Sequence, residues 1–171
     1  MHENETELIK QARGGDRDAF VVLVKDCMEQ VARIPYYILG NREQAEEVTQ
    51  EAFLKAFTKL SQLADDVPFK NWVSRIAKNL SIDILRKRIL FQKFQRNGLS
   101  EEVDTDKEIV LDVRRALMKI PVNQRLPLTL EYYDGLKMED ISQITGVPIG
   151  TIKSRIHAAK KKLKELLSDK L

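Results

Sequence analysis

The sequence predicts an all-α protein made of two small helical domains joined by a flexible acidic linker, and three observations support this. Apolar residues recur at helical spacing along nearly the whole chain, without the alternation typical of strands. Residues 97–106 are acidic and poor in large apolar side chains, which is typical of a linker. The segment from Met138 to Leu167 has a helix-turn-helix pattern. We therefore expect an N-terminal domain at 1–96 and a C-terminal helix-turn-helix domain at 107–171.

The N-terminal domain is predicted to begin with two helices. The first runs from Glu5 to Arg13 and stops at the two glycines that follow it. Asp16 is a typical capping residue and is placed to begin the second helix. Pro35 lies within that second pattern, so we expect a kink or an interruption there. The apolar residues expected to face the core are Phe20, Val24, Met28, Val31 and Leu39.

Two further helices are predicted to complete this domain. Gly40 and Asn41 mark a break, after which a helix spans 43–60. A loop follows at 61–69, and a long helix then spans 70–94. The apolar residues of the shorter helix are Ala45, Val48, Ala52, Phe53 and Phe57. Those of the long helix are Trp72, Ile76, Leu80 and Ile84.

The C-terminal domain is predicted to contain four helices, at 108–120, 123–133, 138–145 and 149–168. Pro121 ends the first, and Asp134 with Gly135 forms the turn after the second. Gly146 permits a tight turn between the last two helices. Pro148 suits the start of the final helix, where a missing N–H costs nothing.

The last two helices have the pattern of a motif that reads DNA. Apolar residues at helical spacing are expected to face the core, namely Ile141, Ile144, Val147, Ile152, Ile156, Ala159 and Leu163. This leaves Thr151, Lys153, Ser154 and His157 outward in the turns that enter a major groove in such motifs. Lys160, Lys161 and Lys164 lie farther along and suit contact with the DNA backbone. The alternative is an amphipathic helix hairpin whose lysines serve solubility.

Composition excludes several other functions. The 171 residues carry a net charge of +3, with basic and acidic residues in separate patches, which indicates more than one partner surface or ordinary solvated helix faces. The single cysteine, Cys27, excludes an intrachain disulfide and favours a buried apolar role. No catalytic constellation or metal-ligand set is visible, so no catalytic residue, metal or cofactor is expected. No segment has the pattern of a signal peptide or membrane span, so we expect a cytoplasmic protein without direct membrane insertion.

Three motifs resemble one protein family, in that family's order and over nearly the whole chain. Glu139-Asp140-Ile141 and the run from Gly146 to Arg155 resemble the C-terminal domain of bacterial sigma factors of the extracytoplasmic-function class. The run from Ala45 to Phe53 is similar to the family's segment that binds core RNA polymerase. The run from Phe69 to Leu80, followed by basic residues, is similar to its promoter-melting segment. The resemblance implies a sigma factor that directs transcription initiation at specific promoters.

The resemblance implies contacts with core RNA polymerase through an acidic helix. Glu47, Gln50 and Glu51 match the family's positions for binding a partner surface rich in arginine. Residues 47 and 51 are four apart, so both carboxylates lie on one helical face and can accept bidentate bonds from arginine. The alternative is a surface helix with ordinary solvated acids.

The resemblance also implies two contacts with promoter DNA. A base of the minus-10 element would flip into a pocket built by the loop at 63–71 and the long helix, where Asn79 matches the family's pocket asparagine. The minus-10 residues implied are Asp65, Phe69, Lys70, Asn71, Arg75, Lys78, Asn79, Arg86, Lys87 and Arg88. The minus-35 residues implied are Thr151, Lys153, Ser154, Arg155, His157, Lys160 and Lys161. Trp72 would either stack near DNA or pack in the core beneath the loop.

Some residues depart from the family pattern. Lys137 stands where a serine or threonine usually caps the short helix, so a side-chain cap is not expected from it. Ala158 stands where many members have arginine, which removes one possible DNA contact. The family also implies regulation by an anti-sigma factor. Two other functions remain open: a stand-alone helix-turn-helix regulator, and a sigma mimic that binds an anti-sigma factor but no DNA.

Overall fold

The computed structural model describes residues 3–94 and 108–168, which form eight α-helices and one short 3-10 turn at Leu60–Gln62. No strand occurs within these two ranges. The predicted linker at 97–106 and its boundaries lie outside the described residues. The helices are α1 (Glu3–Arg13), α2 (Arg17–Leu39), α3 (Arg42–Thr58), α4 (Phe69–Phe94), α5 (Glu108–Met118), α6 (Val122–Tyr132), α7 (Met138–Thr145) and α8 (Ile149–Ser168).

Local capping sets the ends of the first helices. The Asp16 carboxylate accepts hydrogen bonds from the N–H groups of Asp18 and Ala19, which confirms its predicted role as a cap of α2. Gly40 ends α2 in the left-handed region at φ 71°, where a side chain would be strained. Asn41 then caps α3 by accepting from the N–H of Gln44 at 2.9 Å. Each of these ends therefore follows from a residue type that is visible in the sequence.

The start of α4 depends on a distant residue. The Phe69 N–H donates to a carboxylate oxygen of Glu5 on α1 at 3.0 Å. This bond satisfies one of the N–H groups that a helix leaves unpaired at its first turn. Glu5 therefore holds the first helix against the loop that precedes α4.

The structure differs from several expectations about the course and the buried faces of these helices. α2 runs through Pro35 without interruption, and Pro35 itself is buried in the core. Met28 was expected to face the core but has 49% of its surface exposed, and Phe57 of the predicted apolar face of α3 has 46% exposed. On α4 the fully buried apolar residues are Phe69, Val73 and Ala77, whereas the predicted stripe is only half-buried beside them. The most deeply buried face of α4 is therefore offset from the predicted stripe, whose residues pack against the core with part of their surface exposed.

Among the residues that the structure describes, the buried apolar side chains form two hydrophobic clusters. The first joins α1, α2, α3 and α4, with Cys27 buried inside it as predicted and Trp72 packed against it. The second is formed by the C-terminal helices together with Ile34 and Ile38 of α2 and Val48 of α3. The end of α2 therefore belongs to the same core as the helix-turn-helix.

Candidate functional site

The final helix presents its predicted DNA-reading residues to solvent. Thr151, Lys153, Ser154 and His157 are all exposed, while Ile152 and Ile156 on the opposite side are buried. The backbone at Gly150 has open space beside it, with no atom within 4 Å of a Cβ placed there. An approaching ligand would therefore meet backbone and small polar groups in the first turns of α8.

The turn before α8 is held by its own hydrogen bonds. Gly146 adopts φ 72° and donates its N–H to the Ser142 carbonyl at 2.8 Å. The Ser142 hydroxyl donates to the Val147 carbonyl at 2.7 Å and so closes the turn from the other side. Lys137 provides no side-chain cap for α7, as expected from the residue type. α8 is thus fixed relative to α7 even though α7 begins without a side-chain cap.

The remaining predicted residues of α8 differ in their surroundings. Arg155 is half-buried and Lys161 is exposed. The Lys160 ammonium lies 3.2 Å from a carboxylate oxygen of Glu131 and 5.4 Å from the Tyr132 ring centroid. Lys160 is therefore tied to α6, whereas Lys153 and Lys161 extend into solvent.

A second surface lies along α3. Glu47, Gln50 and Glu51 are exposed, and Glu51 forms an ion pair with Lys55 at 2.7 Å. Leu54 and Phe57 extend the same exposed face, with 69% and 46% of their surface accessible. Sequence reasoning missed these two apolar residues as surface residues. The sequence did indicate their position, because residues four and seven places after Gln50 lie on the same face of a helix as Gln50 itself.

The surface of α4 is basic along its exposed side. Arg75, Asn79, Arg86 and Lys87 are exposed, and Lys70, Lys78 and Arg88 are half-buried. Phe69 has only 1% of its surface exposed and packs edge-on against Phe20, so it lies in the core rather than on the surface. The structure therefore brings most of the predicted minus-10 residues onto one helix, with Phe69 beneath them.

Asn71 and Lys78 are occupied by contacts with α7. Asn71 is fully buried, and its amide donates to Asp140 Oδ1 at 2.7 Å and to Gln143 Oε1 at 2.8 Å. The Lys78 ammonium donates to the Thr145 carbonyl at 3.2 Å. Burial, reinforced by the nearby Arg75 and Arg86, lowers the pKa of Lys78. Two of the predicted DNA contacts are thus made to protein in this arrangement.

Three more predicted residues have protein partners within the N-terminal helices. Asp65 forms an ion pair with Arg13 of α1 at 3.1 Å, which ties the loop before α4 to the first helix. Arg86 lies 3.6 Å from the carboxylate of Asp83, and Arg88 donates to the Gln44 side chain at 2.7 Å. Each of these three predicted DNA-contact residues therefore has a partner within the protein.

Two buried polar groups that sequence reasoning missed connect the end of α2 to the C-terminal part of the chain. Arg125 donates five hydrogen bonds to backbone carbonyls, of Tyr37, Leu117, Met118, Ile120 and Ile38. The carboxylate of Asp134 accepts from Arg33 at 2.7 Å, and the Tyr37 hydroxyl lies 3.5 Å away. Burial raises the pKa of Asp134, and its bond with Arg33 opposes that shift. The presence of a charged residue in a sequence does not indicate which distant groups it will contact.

The described ranges show neither a metal site nor a membrane-spanning helix. Within 3–94 and 108–168, no group of three or more histidine, cysteine or carboxylate side chains is arranged to hold a metal. None of the helices described is both long and apolar enough to cross a membrane. The exposed faces of α3, α4 and α8 remain the candidate functional surfaces.

Both halves of the chain are similar to known protein families. Residues 23–89 match the family described as Sigma-70 region 2, and residues 111–163 match Sigma-70, region 4. The chain is 30% identical over 178 residues to the ECF RNA polymerase sigma factor SigW of Bacillus subtilis, covering 94% of this chain and 95% of that protein. It is 29% identical over 179 residues to the ECF RNA polymerase sigma-E factor of Escherichia coli, with 94% and 93% covered.

Two solved structures share the fold. The sigma factor RpoE of Bartonella quintana, in complex with the anti-sigma factor NepR, superimposes with a TM-score of 0.74 at 25% identity, covering 85% of this chain and 94% of that one. CnrH, in complex with the cytosolic domain of CnrY, has a TM-score of 0.75 at 22% identity and covers 98% and 99%. These likenesses confirm the all-helical fold that the sequence predicts.

Proposed function

The chain belongs to the extracytoplasmic-function class of RNA polymerase sigma factors and directs promoter-specific transcription initiation, and from this premise we propose how its surfaces divide the task. The N-terminal domain, at 1–96, binds core RNA polymerase through α3 and reads the melted minus-10 strand through α4. The C-terminal domain, at 107–171, reads the minus-35 element as duplex through α8. The protein contributes recognition and no catalytic group, and it acts in the cytoplasm.

The α3 surface suits an arginine-rich partner with an apolar centre. Glu47 and Glu51 offer carboxylates on one face, and carboxylates accept paired hydrogen bonds from arginine. Leu54 and Phe57 lie beside them, and removing such apolar side chains from water favours association. This combination of charged and apolar contacts is typical of a specific protein interface.

The α8 surface suits duplex DNA. Lys153 can donate to guanine or to a phosphate, and Ser154 can contact either group. The exposed Thr151, beside the open backbone at Gly150, lies in the first turn, where a recognition helix approaches base edges most closely. The exposure of these residues together is the observation that supports minus-35 reading.

The α4 surface suits a single strand. Arg75, Arg86 and Lys87 are exposed cations that can follow a phosphate backbone. Asn79 is exposed between them, and its amide can both donate to and accept from a base edge. Flipping a base costs a few kcal/mol of stacking, which these contacts would have to offset.

An anti-sigma factor is proposed as a regulatory partner. The support is the similarity to RpoE of Bartonella quintana, whose structure was solved with such a factor bound. Tagged protein purified from its native host should retain a protein that competes with core polymerase. Failure of every co-purifying protein to compete would contradict this part of the proposal.

In vitro transcription tests the proposal as a whole. Purified core polymerase and fragmented genomic DNA should give new, discrete transcript starts when the protein is added, and these starts should share two upstream elements. Glu47→Lys should abolish them, because it places a cation against an arginine-rich partner. Glu7→Lys is the matched control, since Glu7 is an exposed acid on α1.

Each result of that assay has a definite meaning. Loss of starts with Glu47→Lys but not with Glu7→Lys would support polymerase docking through α3. Equal activity of the two variants would contradict docking through α3. Absence of both polymerase binding and new starts would contradict the mechanism and favour a regulator that binds duplex DNA alone.

A further inference from the structure

The contact between α6 and α8 joins a predicted minus-35 residue to two residues outside the recognition helix. The Lys160 ammonium lies 3.2 Å from Glu131 Oε2, and it lies over the Tyr132 ring at 5.4 Å from the ring centroid. An ammonium group is attracted to a carboxylate and also to the face of an aromatic ring within about 6 Å. Lys160 is therefore held from two sides by consecutive residues of α6.

The helix backbones on either side of this contact are fixed by the core. Leu130 precedes Glu131, Ala159 precedes Lys160, and both of these apolar residues are fully buried in the second hydrophobic cluster. Because they pack in one cluster, α6 cannot move away from α8 at this point without exposing apolar surface to water. The core of the domain therefore sets the place from which the Lys160 side chain extends.

The Glu131 carboxylate retains the ammonium more firmly than a fully solvated acid would. Glu131 Oε2 is buried and has no well-aligned hydrogen bond from the described residues. A buried carboxylate oxygen without such a bond depends on a nearby cation to offset its lost hydration. Ion pairs between fully solvated groups contribute little, but this pair is partly shielded from water. Half of the Lys160 side chain nevertheless stays exposed, so its ammonium can still meet a phosphate.

Lys160 lies on the same side of α8 as Lys153. Seven residues separate the two lysines, which is close to two helical turns, or about 10 Å along the axis. Lys153 is exposed in the first turns of α8, which approach base edges most closely in a helix-turn-helix. Phosphate contacts fix the register and orientation of a protein on a duplex. A phosphate bound by Lys160 therefore sets how the first turns of α8 enter the groove.

We propose that Glu131 and Tyr132 are positioning residues for minus-35 recognition, which hold Lys160 in one place so that it binds a phosphate only when α8 has the correct register on the duplex. The inference rests on the proposed reading of the minus-35 element by α8. A freely moving lysine reaches a phosphate in any register and so adds to non-specific affinity, because phosphates carry no sequence information. A held lysine adds chiefly to the specific complex, in which a phosphate stands at the matching place.

Binding of the full chain to two duplexes tests this role. The probes are the minus-35 duplex mapped by the transcription assay and a scrambled duplex of equal length and composition. Glu131→Gln should raise affinity for the scrambled duplex more than for the mapped one, so that the ratio of the two affinities falls roughly threefold. The logarithm of the binding constant for the scrambled duplex should also fall more steeply with the logarithm of salt concentration, by about 0.9 in slope for one added phosphate contact.

Matched variants separate positioning from net charge. Glu165→Gln removes the same charge from the exposed part of α8 and should change both affinities by the same factor. Tyr132→Leu leaves the net charge unchanged and should also lower the affinity ratio, whereas Tyr132→Phe keeps the ring and should bind as the unsubstituted protein does. In a Lys160→Gln background, Glu131→Gln should no longer change the ratio, because the side chain that it positions is gone.

Nuclear magnetic resonance measures the restraint on Lys160 without DNA. Because the ammonium lies over the Tyr132 ring, the ring current should shift the adjacent methylene protons of Lys160 upfield of those of the exposed Lys161. Tyr132→Leu should abolish this difference, and Glu131→Gln should reduce it. Glu165→Gln should leave it unchanged.

The outcomes separate this inference from the proposed function. An affinity ratio that is unchanged by Glu131→Gln, or lowered equally by Glu165→Gln, would overturn the positioning role. Absence of the upfield shift in the unsubstituted protein would overturn the held position of Lys160. If the unsubstituted protein binds both duplexes equally while the shift is present, minus-35 reading by α8 fails, and the Lys160 contact serves only to join α6 to α8.

Discussion

Arg125 shows how a single side chain can join two parts of the chain. Only 4% of its surface is exposed, and its hydrogen bonds go to carbonyls near the ends of α2 and α5. The C-terminal end of a helix carries a partial negative charge and unpaired carbonyls. The positively charged guanidinium of Arg125 therefore stabilises the C-terminal ends of both α2 and α5. Burial lowers the pKa of Arg125 to about 10, which still leaves it charged at neutral pH.

Replacing Arg125 with lysine should be strongly destabilising. Lysine keeps the charge but cannot direct five N–H donors in the planar guanidinium geometry, so buried carbonyls would lose partners. We expect a loss of about 3 kcal/mol in the free energy of unfolding, measured by urea denaturation. Arg115→Lys, at an exposed position of α5, should change it by less than about 0.5 kcal/mol. Equal stability of the two variants would refute the role of Arg125.

The buried thiol of Cys27 should lower the stability of the folded protein in alkaline solution. Burial, with Asp26 and Glu5 adding to it, raises the pKa of the thiol from 9.0 to about 12. Because the folded value is above the unfolded one, this stability is complete below pH 9 and declines as pH rises toward 12. Between pH 7 and pH 10 the unfolding free energy should fall by on the order of 1 kcal/mol more in the unsubstituted protein than in Cys27→Ala. Parallel pH profiles for the two proteins would contradict it.

Single helices follow their local signals except where packing overrides them. α7 and α8 span the predicted ranges, 138–145 and 149–168, because glycine and proline mark their ends. α2 continues through Pro35, although a proline removes one backbone bond from a helix interior. Ile34 and Ile38 beside it are almost fully buried, and their burial offsets that cost.

The outward face of α8 should determine duplex affinity. Lys153→Ala should weaken binding to the mapped minus-35 duplex about tenfold and make it less dependent on salt, if the ammonium contacts a phosphate. Fluorescence anisotropy at several salt concentrations measures both effects. Lys162→Ala removes the same charge elsewhere on the exposed part of α8 and is the control. Equal losses in the two variants would indicate only a general charge effect.

The apolar part of α3 should contribute to polymerase affinity. Leu54→Ser/Phe57→Ser should weaken binding to core polymerase at least about tenfold, because two exposed side chains lose their apolar contact area. Leu90→Ser, on exposed α4 surface, should leave binding unchanged. Binding to surface-immobilised polymerase provides the measurement, and unchanged affinity of the α3 variant would exclude these residues from the interface.

In the molecule as a whole, the matches to region 2 and region 4 share one hydrophobic cluster. Ile34, Ile38 and Val48 fall in the first match, while Ile141 and Ile152 fall in the second. Because these residues are buried in the same cluster, folding of the helix-turn-helix is coupled to the end of α2. The other cluster, at α1 and the start of α4, contains residues of the N-terminal helices alone. Its stability should therefore depend less on the helix-turn-helix.

Hydrogen exchange should reveal this unequal coupling. Ile141→Ala removes a fully buried side chain and should cost about 2–5 kcal/mol. Protection should fall in α6 to α8 and at the Ile34–Ile38 end of α2, while amides around Leu23 and Val73 should keep theirs. A uniform loss over the whole chain would show that both clusters unfold as one unit.

Local pattern alone established the helical class, most helix ends, the turn at Gly146 and the outward face of α8, because capping residues and helical spacing act over a few residues. Resemblance between short motifs was enough to indicate the family. Tertiary structure decided what depends on distant neighbours, namely Glu5 at the start of α4 and the carbonyl partners of Arg125. It also placed Asn71 against Asp140, 69 positions away in the sequence. Periodicity specifies which side of a helix is apolar, whereas packing between helices specifies which groups that helix meets.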